Sequence, residues 1–261
     1  MKPPISYYGG KQTLASRIIS LIPEHSLYCE PFAGGAAVFF AKEKQPRQVE
    51  VLNDTNQELV NFYRVIQNDF VGLEKEVRIS LHSRRLFTDA KVIYNNPHMF
   101  SELKRAWAVW VLANEGFGSM LNGSWGYDKK KNCTGKKIAG KRDSFTEEFA
   151  YRLQDVQLEC TDALRIITSR DAEESFFYVD PPYYNSDCGH YDGYSLEDFE
   201  KLLQTLLNIK GKFILSSYPS DILEKYVLTG KWKQLRFEGM KVSVNKGSSA
   251  KKKTEVLTMN F

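Results

Sequence analysis

The sequence has few cysteines, few histidines and no long apolar run. Its four cysteines show no CxxC or CxxH spacing, which argues against a zinc site and gives no disulfide framework. No stretch reaches the roughly 18 consecutive apolar residues of a membrane-spanning helix, and the N-terminus carries no apolar signal region. We therefore expect reduced thiols, no metal, no membrane association and a cytoplasmic location.

Net charge is also small. The chain has 261 residues, of which 42% are hydrophobic and 26% are charged, as in an ordinary globular protein with one large domain or one domain that carries an insertion. A formal charge of +4 does not by itself indicate a nucleic-acid partner. The position of the basic residues therefore decides that question.

Phosphate-binding glycine motifs are missing as well. A short strand at 26–30 ends at a proline, and a glycine turn and an apolar helix follow, as in the first βα unit of a Rossmann-like sheet. The turn is neither GxGxxG nor a P-loop, which favours a nucleoside-type ligand without a phosphate chain. Asp54, at the end of a second strand and 19 residues after Gly35, is placed to bind ribose hydroxyls. The alternative is that Asp54 or Thr55 caps the next helix.

The most distinctive segment is 176–183. An aromatic and β-branched run typical of a strand ends in an acid, two prolines and a tyrosine. In open α/β sheets ligands bind at the carboxyl ends of strands, so Asp180, a backbone carbonyl and the Tyr183 ring would together grip a planar amine. The alternative is an ordinary strand terminus.

Residues 71–113 have a helical pattern, with Leu73, Val77, Leu81, Trp107 and Trp110 among the apolar positions. We interpret this stripe as core rather than as a base-stacking platform. Because an alternating α/β protein would have returned to a strand by this point, we predict an inserted helical subdomain over 70–145, and a main domain formed by 1–69 and 146–261.

A basic and aromatic segment follows at 114–142. Between 128 and 142 it has seven cations and one acid, a net charge of +6. Lysines suit phosphates, aromatic rings suit stacking and amides suit base edges, so we predict a nucleic-acid-binding loop, with a solvated surface loop as the alternative. A terminal hairpin with a cationic tip adds to this surface or merely blunts a sheet edge. The candidate nucleic-acid-binding residues are Phe117, Asn122, Tyr127, Lys129, Lys130, Lys131, Lys251 and Lys252.

The polar, tyrosine-rich stretch 184–194 directly follows the candidate site and is a candidate lid. Cys188 and His190 within it lack a base-orienting partner, so we favour loop structure over thiol catalysis. Ser195 to Asp198 has the pattern of a capping box and opens the next helix.

With four short motifs in one order, the chain resembles the Dam-like class of S-adenosylmethionine-dependent DNA adenine-N6 methyltransferases. The motifs are Tyr7 with Gly9-Gly10-Lys11, Glu30-Pro31-Phe32-Ala33-Gly34-Gly35, Asn53-Asp54 and Asp180-Pro181-Pro182-Tyr183. The resemblance implies an α/β fold with a Rossmann-like seven-stranded sheet whose last strand is antiparallel. It makes 1–69 and 146–261 the catalytic domain and 70–145 the target-recognition subdomain.

The resemblance also assigns ligands and roles. It implies S-adenosylmethionine as cofactor, S-adenosylhomocysteine as product, no metal, and double-stranded DNA as partner. Asp180 and the Pro181 carbonyl would accept the two N6 hydrogens of a flipped adenine while Tyr183 stacks on the ring. The implied catalytic residues are Asp180, Pro181, Pro182 and Tyr183. The implied cofactor-binding residues are Tyr7, Lys11, Glu30, Phe32, Ala33, Gly34, Gly35, Asp54, Thr161 and Asp162.

Several alternatives stay open at this point. The acid-Pro-Pro-aromatic motif also serves cytosine-N4 methylation and, in an Asn form, protein glutamine methylation. The runners-up are therefore a cytosine-N4 or RNA amine methyltransferase and a non-catalytic nucleic-acid-binding module. Relatives that read GATC carry an arginine where this chain has Asn122, so that target sequence is not carried over. The choice between a monomer and a weak dimer, and the existence of a cognate restriction endonuclease, are open too.

Overall fold

The computed structural model describes residues 1–185, 194–241 and 252–261. Most of the candidate lid, with Cys188 and His190, lies outside the described residues, and so does Lys251 in the hairpin tip. Lys252 is described only as part of the backbone of the last strand.

The described residues form a seven-stranded sheet. Its strands are β1 (Leu27–Glu30), β2 (Val49–Asn53), β3 (Gln157–Glu159), β4 (Ser175–Val179), β5 (Lys212–Ser217), β6 (Lys233–Lys241) and β7 (Lys252–Met259). They lie in the order β3-β2-β1-β4-β5-β7-β6. Strands β2, β1, β4 and β5 pair in parallel, whereas β7 is antiparallel to both β5 and β6. The predicted α/β fold, a Rossmann-like sheet with an antiparallel last strand, is confirmed.

The register brings the carboxyl ends of the parallel strands to one edge. Cys29 of β1 is paired with Val51 of β2 and with Phe177 of β4, so these strands end nearly level. Ser217, the last residue of β5, is paired with Val256 in the middle of β7. Because β7 runs in the opposite direction, its amino-terminal half lies at the edge where the parallel strands end.

Helices connect the strands. They are α1 (Ala15–Ile19), α2 (Ala37–Ala41), α3 (Gln57–Asn68), α4 (Phe70–Ile79), α5 (Arg84–Asn95), α6 (Glu102–Glu115), α7 (Cys133–Asp143), α8 (Glu148–Leu153), α9 (Ala163–Ser169), α10 (Leu196–Asn208) and α11 (Asp221–Gly230). The predicted capping box at the start of α10 is confirmed, since the Ser195 hydroxyl accepts from the Asp198 amide and the Asp198 carboxylate accepts from the Ser195 amide.

Contacts divide the chain into two compact units. The first comprises 1–19, 34–44 and 56–160, and the second 20–33, 45–55 and 161–261. The predicted insertion 70–145 lies within the first unit, and its boundaries as a separate subdomain stay a prediction. In the second unit every residue of β4 is buried, as expected for a central strand with both faces covered. Apolar residues of α10 that recur at helical spacing pack in the same core.

The first unit has its own core. All residues of α6 from Ala106 to Glu115 are buried, including Trp107 and Trp110, so the predicted core stripe is confirmed there. The prediction for Leu81 is wrong, because this side chain is 62% exposed. Helix α4 ends at Ile79 and its cap is Ser80, so Leu81 has left the helical stripe.

The basic segment 128–142 is only partly the loop that its composition predicts. Its second half forms α7, which a buried Ile138 fixes to the first unit. Lysine and arginine are good helix formers, and the Asp128 carboxylate accepts a hydrogen bond from the amide of Thr134 in the first turn. The segment's charge therefore lies partly on a helix.

Among the described residues, no helix has both the length and the apolar character needed to cross a membrane.

Candidate active site

The end of β4 positions the Asp-Pro-Pro-Tyr motif. Asp180 directly follows Val179, the last residue of the buried strand, and Pro181 is buried as well. Asp180, Pro182 and Tyr183 are half-buried. Proline cannot extend the hydrogen-bonded ladder, so the chain leaves the sheet here and its polar groups are held at the edge by a rigid strand.

The Tyr183 hydroxyl lies between two carboxylates. It donates a hydrogen bond to Oε1 of Glu255 on β7, and its oxygen is 3.3 Å from Oδ1 of Asp180. The ring packs edge-on against Tyr218, with 4.5 Å between the ring centroids. Burial, followed by the charges of Asp180 and Glu255, raises the pKa of Tyr183 well above its usual value. The phenol therefore keeps its proton and acts as a donor.

Two further tyrosines are buried behind this edge. The Tyr28 hydroxyl donates to Oε1 of Glu30 at 2.7 Å, and Glu30 is 2% exposed. The hydroxyls of Tyr178 and Ser216 are 3.1 Å apart. Burial raises the pKa of both tyrosines. Glu30, a candidate cofactor residue, is thus already fixed by an internal hydrogen bond at the end of β1.

Asn53 connects three segments at this edge. Its fully buried amide donates to the carbonyls of Pro31 at 2.8 Å and Thr161 at 3.0 Å, and its Oδ1 accepts from the Thr161 amide at 3.0 Å. Its own carbonyl accepts from the amide of Ala33 at 2.8 Å. One side chain therefore brings together the turn after β1, the end of β2 and the start of the segment that precedes α9. Sequence reasoning gave Asn53 no role of its own.

The two candidate carboxylates on either side differ in their local role. Asp162 is exposed and caps α9, since its Oδ1 accepts from the amides of Leu164 and Arg165, both at 3.0 Å. Asp54 is half-buried at the end of β2, and the cap of α3 is Asn56. The alternative that Asp54 or Thr55 caps this helix is therefore wrong.

Phe32 has a partner that the sequence did not indicate. Its ring is perpendicular to that of Tyr194, with 6.3 Å between centroids. Burial, followed by the charges of Asp198 and Asp162, raises the pKa of Tyr194. Tyr194 is the last residue of the candidate lid, where no periodic pattern signals a role.

In the first unit, the glycine turn packs on Tyr7. A Cβ on Gly35 would lie 2.7 Å from the Tyr7 Cβ, and Gly34 has φ +49° and would place a Cβ 3.2 Å from the Tyr7 ring. The Tyr63 hydroxyl donates to the Gly34 carbonyl at 2.7 Å. Nearby in sequence, the Lys11 ammonium donates to the Gly9 carbonyl at 3.0 Å. Only glycine fits at positions 34 and 35 of this turn, which explains the residue type at both.

The first unit also carries a stack of rings and cations, which we call the Trp125 stack: His82, Arg84, Trp125 and Tyr127. The Trp125 and Tyr127 rings are stacked at 5.7 Å, and the Arg84 guanidinium lies 4.6 Å from the Trp125 centroid and 5.5 Å from that of Tyr127. The His82 ring is 4.6 Å from Trp125, and its Nε2 is 2.8 Å from the Gly126 carbonyl. Because a carbonyl only accepts, Nε2 carries the proton.

A buried acid supports this stack. Glu115 is 1% exposed, and its Oε2 accepts from Nε1 of Trp125 at 3.0 Å. The Gly126 amide donates to the Glu115 carbonyl at 2.7 Å. Burial raises the pKa of Glu115, and the indole hydrogen bond opposes that shift. The segment from 116 to 126 is thus closed into a turn on the end of α6.

A surface pocket of about 510 Å³ adjoins the Trp125 stack. It is lined by His82, Trp125, Tyr127, Asp128, Lys129, Lys130, Lys131 and Asn132. The structure thus brings predicted DNA-binding residues Tyr127 and Lys129 to Lys131 together with Trp125, an aromatic residue of the basic segment, and with His82, which sequence reasoning missed. Phe117 is 50% exposed and Asn122 is also exposed, but neither lines this pocket.

A model of the family described as D12 class N6 adenine-specific DNA methyltransferase matches residues 7–237. The chain belongs to this family. The resemblance drawn from the motifs is confirmed, and this D12-class enzyme is a DNA adenine-N6 methyltransferase.

Curated relatives of the D12-class enzyme agree with this assignment. It is 25% identical over 287 residues to the Type II methyltransferase M1.LlaDCHI of Lactococcus lactis subsp. cremoris, an alignment that covers 100% of this chain and 96% of that protein. It is 28% identical over 206 residues to the Type II methyltransferase M.MjaIII of Methanocaldococcus jannaschii, covering 70% and 69%. It is 25% identical over 187 residues to the DNA adenine methylase of Vibrio cholerae, covering 69% and 64%.

The described residues contain no group of three or more His, Cys, Asp or Glu side chains placed to hold a metal ion. That the enzyme works without a metal stays a prediction.

Proposed function

We propose that this enzyme methylates adenine N6 at a specific sequence in duplex DNA with S-adenosylmethionine as donor, and that Asp180, Pro181 and Tyr183 bind the target adenine. Pro182 shapes the turn that presents them. The observation that carries the proposal is the position of Asp180 and Tyr183, held at the end of a buried strand with Tyr183 fixed by a second carboxylate and a second ring.

The chemistry requires acceptors rather than a nucleophile. The lone pair of the adenine amine is delocalised into the ring, so the nitrogen attacks poorly until its hydrogens are held out of the ring plane. The Asp180 carboxylate and the Pro181 carbonyl each accept one of them, and Asp180 is the group that receives the proton which leaves N6. Tyr183 supplies a stacking face, and the rigid support aligns the nitrogen for a direct displacement. A base inside a duplex must be flipped to reach such a pocket.

The strand ends fit the proposed cofactor. S-adenosylmethionine supplies, when bound, a methyl group on a cationic sulfur. Asp54 has a half-buried carboxylate that is not used as a helix cap, which suits ribose hydroxyls. Asn53 fixes the backbone of the turn after β1 against Thr161, as a preformed ligand site needs. The proposed cofactor-binding residues remain Tyr7, Lys11, Glu30, Phe32, Ala33, Gly34, Gly35, Asp54, Thr161 and Asp162.

The Trp125 stack and its lysine-lined pocket support DNA binding by the first unit. Stacked rings with an arginine on their face form a rigid platform, and lysines beside it neutralise phosphates. We therefore retain Phe117, Asn122, Tyr127 and the lysines 129–131 as DNA-binding residues. Lys251 and Lys252 stay predictions from sequence alone.

The remaining proposals concern the cellular setting. Two relatives are named Type II methyltransferases, which favours a cognate restriction endonuclease as partner of this enzyme too. Cys29, Cys133 and Cys160 are thiols, which is consistent with a reducing cytoplasm. A monomer or weak dimer is the proposed assembly.

The proposal is tested by incubating the enzyme with methyl-labelled S-adenosylmethionine and mixed-sequence duplex DNA, and then digesting the DNA to nucleosides. We expect label in N6-methyladenine. Asp180→Asn should lower kcat by about 10²–10⁴-fold, the range of a lost proton acceptor. Asp221→Asn, an exposed acid on α11, is the matched control and should leave kcat unchanged.

Label found only in N4-methylcytosine, or only on RNA, would contradict the proposed substrate. Full activity of Asp180→Asn would contradict the proposed site even if adenine is the product.

A further inference from the structure

Three lysines of the first unit lie close together, and no carboxylate among the described residues pairs with them. Lys137 and Lys141 are one turn apart on α7, and Lys2 belongs to the N-terminal segment. The Lys141 ammonium donates to the carbonyl of Pro3, the residue after Lys2, at 2.6 Å. The Lys137 ammonium donates to the Ser119 hydroxyl oxygen at 3.3 Å. Both acceptors are neutral, so neither contact balances the positive charges.

The environment of Lys141 makes this clustering unfavourable in the free enzyme. Its side chain is half-buried, and desolvation by burial, followed by the charges of Lys137 and Lys2, lowers its pKa to about 8. Those two cations act on it from its own helix and from the N-terminal segment. Within the described part of the chain, neither α4 nor α6, against which α7 packs, contributes an acid that acts on Lys141. A desolvated ammonium beside like charges is stabilised when an anion binds.

The cluster adjoins a turn that carries a proposed DNA-binding residue. Ser119 lies in the turn 116–126, which also carries Phe117, and its carbonyl accepts from the Tyr8 amide at 3.1 Å. Its φ is +60°, a strained conformation for a residue with a side chain, which the surrounding contacts maintain. The hydroxyl that holds Lys137 is therefore fixed beside a surface proposed to face DNA.

We infer that Lys2, Lys137 and Lys141 form a binding site for one phosphate group of the DNA backbone, in addition to the lysines 129–131 that line the pocket at the Trp125 stack. The inference rests on the proposed DNA-binding role of the first unit. A backbone phosphate carries one negative charge and accepts hydrogen bonds from ammonium groups, so it supplies what the cluster lacks. Because it favours the charged form of Lys141, DNA binding is coupled to protonation of this lysine, which is not expected of fully solvated lysines.

The first test measures DNA affinity and its salt dependence by fluorescence anisotropy with a labelled mixed-sequence duplex. Lys137→Met should weaken binding by about 10-fold and flatten the log–log salt dependence by about one unit, as expected for one lost phosphate contact. Lys136→Met is the matched control, because Lys136 is exposed on the same helix and outside the cluster, so its slope should stay at the wild-type value. Removal of one of three like charges should leave the Tm of free Lys137→Met at or above that of wild type, whereas loss of a structural lysine would lower it.

The second test measures proton uptake on DNA binding by calorimetry in buffers of different ionisation enthalpy. At about pH 8 the free enzyme holds the Lys141 proton about half of the time, so wild type should take up roughly half a proton more than Lys141→Met. At about pH 6.5 the two should agree. Lys141→Arg is the conservative variant, because arginine stays charged at each pH. It should bind DNA more tightly than wild type at about pH 9 and lack the extra uptake, and it supplies the comparison if Lys141→Met does not fold.

A wild-type salt slope in Lys137→Met, an equal loss in Lys136→Met, or wild-type proton uptake in Lys141→Arg would each overturn the inference. So would a loss of S-adenosylmethionine affinity without a loss of DNA affinity, because the site would then bind the cofactor's carboxylate. If wild type binds no duplex DNA, the proposed function itself fails. If Lys129→Ala with Lys130→Ala weakens DNA binding and Lys137→Met does not, only the additional phosphate site fails.

Discussion

The contact between the glycine turn and Tyr7 leads to a sharp prediction about Gly35→Ala. A Cβ at 35 would lie 2.7 Å from the Tyr7 Cβ and 3.9 Å from its Cα, so it meets atoms that a rotamer change cannot move away. Overpacking of this kind destabilises by roughly 1–3 kcal/mol. The loss of unfolded-state freedom on replacing Gly by Ala opposes it by about 0.4–1 kcal/mol. We expect a net destabilisation of about 1–2 kcal/mol, or a Tm lower by roughly 2–8 °C.

The assay is thermal and urea denaturation of Gly35→Ala beside Gly140→Ala. Gly140 lies within α7, and a Cβ added there would have no atom within 4 Å, so its alanine variant should be more stable than wild type by about 0.5–1 kcal/mol. The same Gly→Ala substitution should thus change the free energy of unfolding in opposite directions at the two positions. S-adenosylmethionine affinity should fall only for Gly35→Ala.

Double variants locate the cause. Tyr7→Ala keeps the Cβ that Gly35→Ala would strike, so the two effects should add. Tyr7→Gly removes that atom, so Gly35→Ala should be much less destabilising in this background. If Gly35→Ala is as stable as wild type, or if its effect is the same in the Tyr7→Gly background, the steric reasoning is refuted.

Three further predictions follow from other contacts. Asn53→Ala should destabilise the fold by about 2–4 kcal/mol and weaken S-adenosylmethionine binding, because the buried groups that the Asn53 amide bridges are left unpaired. Urea unfolding and calorimetry test this, and a loss of unfolding free energy below about 1 kcal/mol would refute it. Lys129→Ala combined with Lys130→Ala should weaken binding to all DNA sequences and flatten the log–log salt dependence by about one to two units; an unchanged slope would exclude phosphate contacts. Burial lowers the pKa of Lys141 to about 8, so above that pH the unfolded chain binds more protons than the folded one, and this lysine makes stability rise between about pH 8 and 10. Lys141→Met should flatten that rise in the urea midpoints, and a pH profile identical to that of wild type would refute the role of Lys141.

The sequence predicts the strand ends well because residues with a distinctive backbone chemistry, proline and glycine, stand just after them. Asp180 is followed by two prolines that cannot continue a ladder, and Gly34 by a second glycine at a turn that excludes a Cβ. The buried stripe at Trp107 and Trp110 is predictable in the same way, from helical spacing alone. Each of these signals lies within one short segment, so neighbouring residues are enough to interpret it.

The missed residues depend on contacts between distant segments. His82 reaches the Gly126 carbonyl across 44 residues of sequence, and Asn53 reaches Thr161 across 108. Basic composition predicts a loop where α7 forms, because the run of charges hides the one apolar side chain, Ile138, that is buried and holds the helix in place. No pattern of charge or periodicity within either segment contains that information.

Glu255 shows why the antiparallel last strand matters for chemistry and not only for topology. Parallel strands reach the ligand-binding edge with their last residue, so what they present there sits at a strand end or in the following loop, as Asp180 does after Val179. A strand running the other way has residues on both sides of that edge. Glu255 is paired with Phe237 of β6, and its neighbour Val256 is paired with Ser217 of β5. The antiparallel direction of β7 therefore lets a residue fixed within a strand, rather than one in a loop, accept the Tyr183 hydroxyl at this edge, and rigid support of this kind is what a preformed site needs.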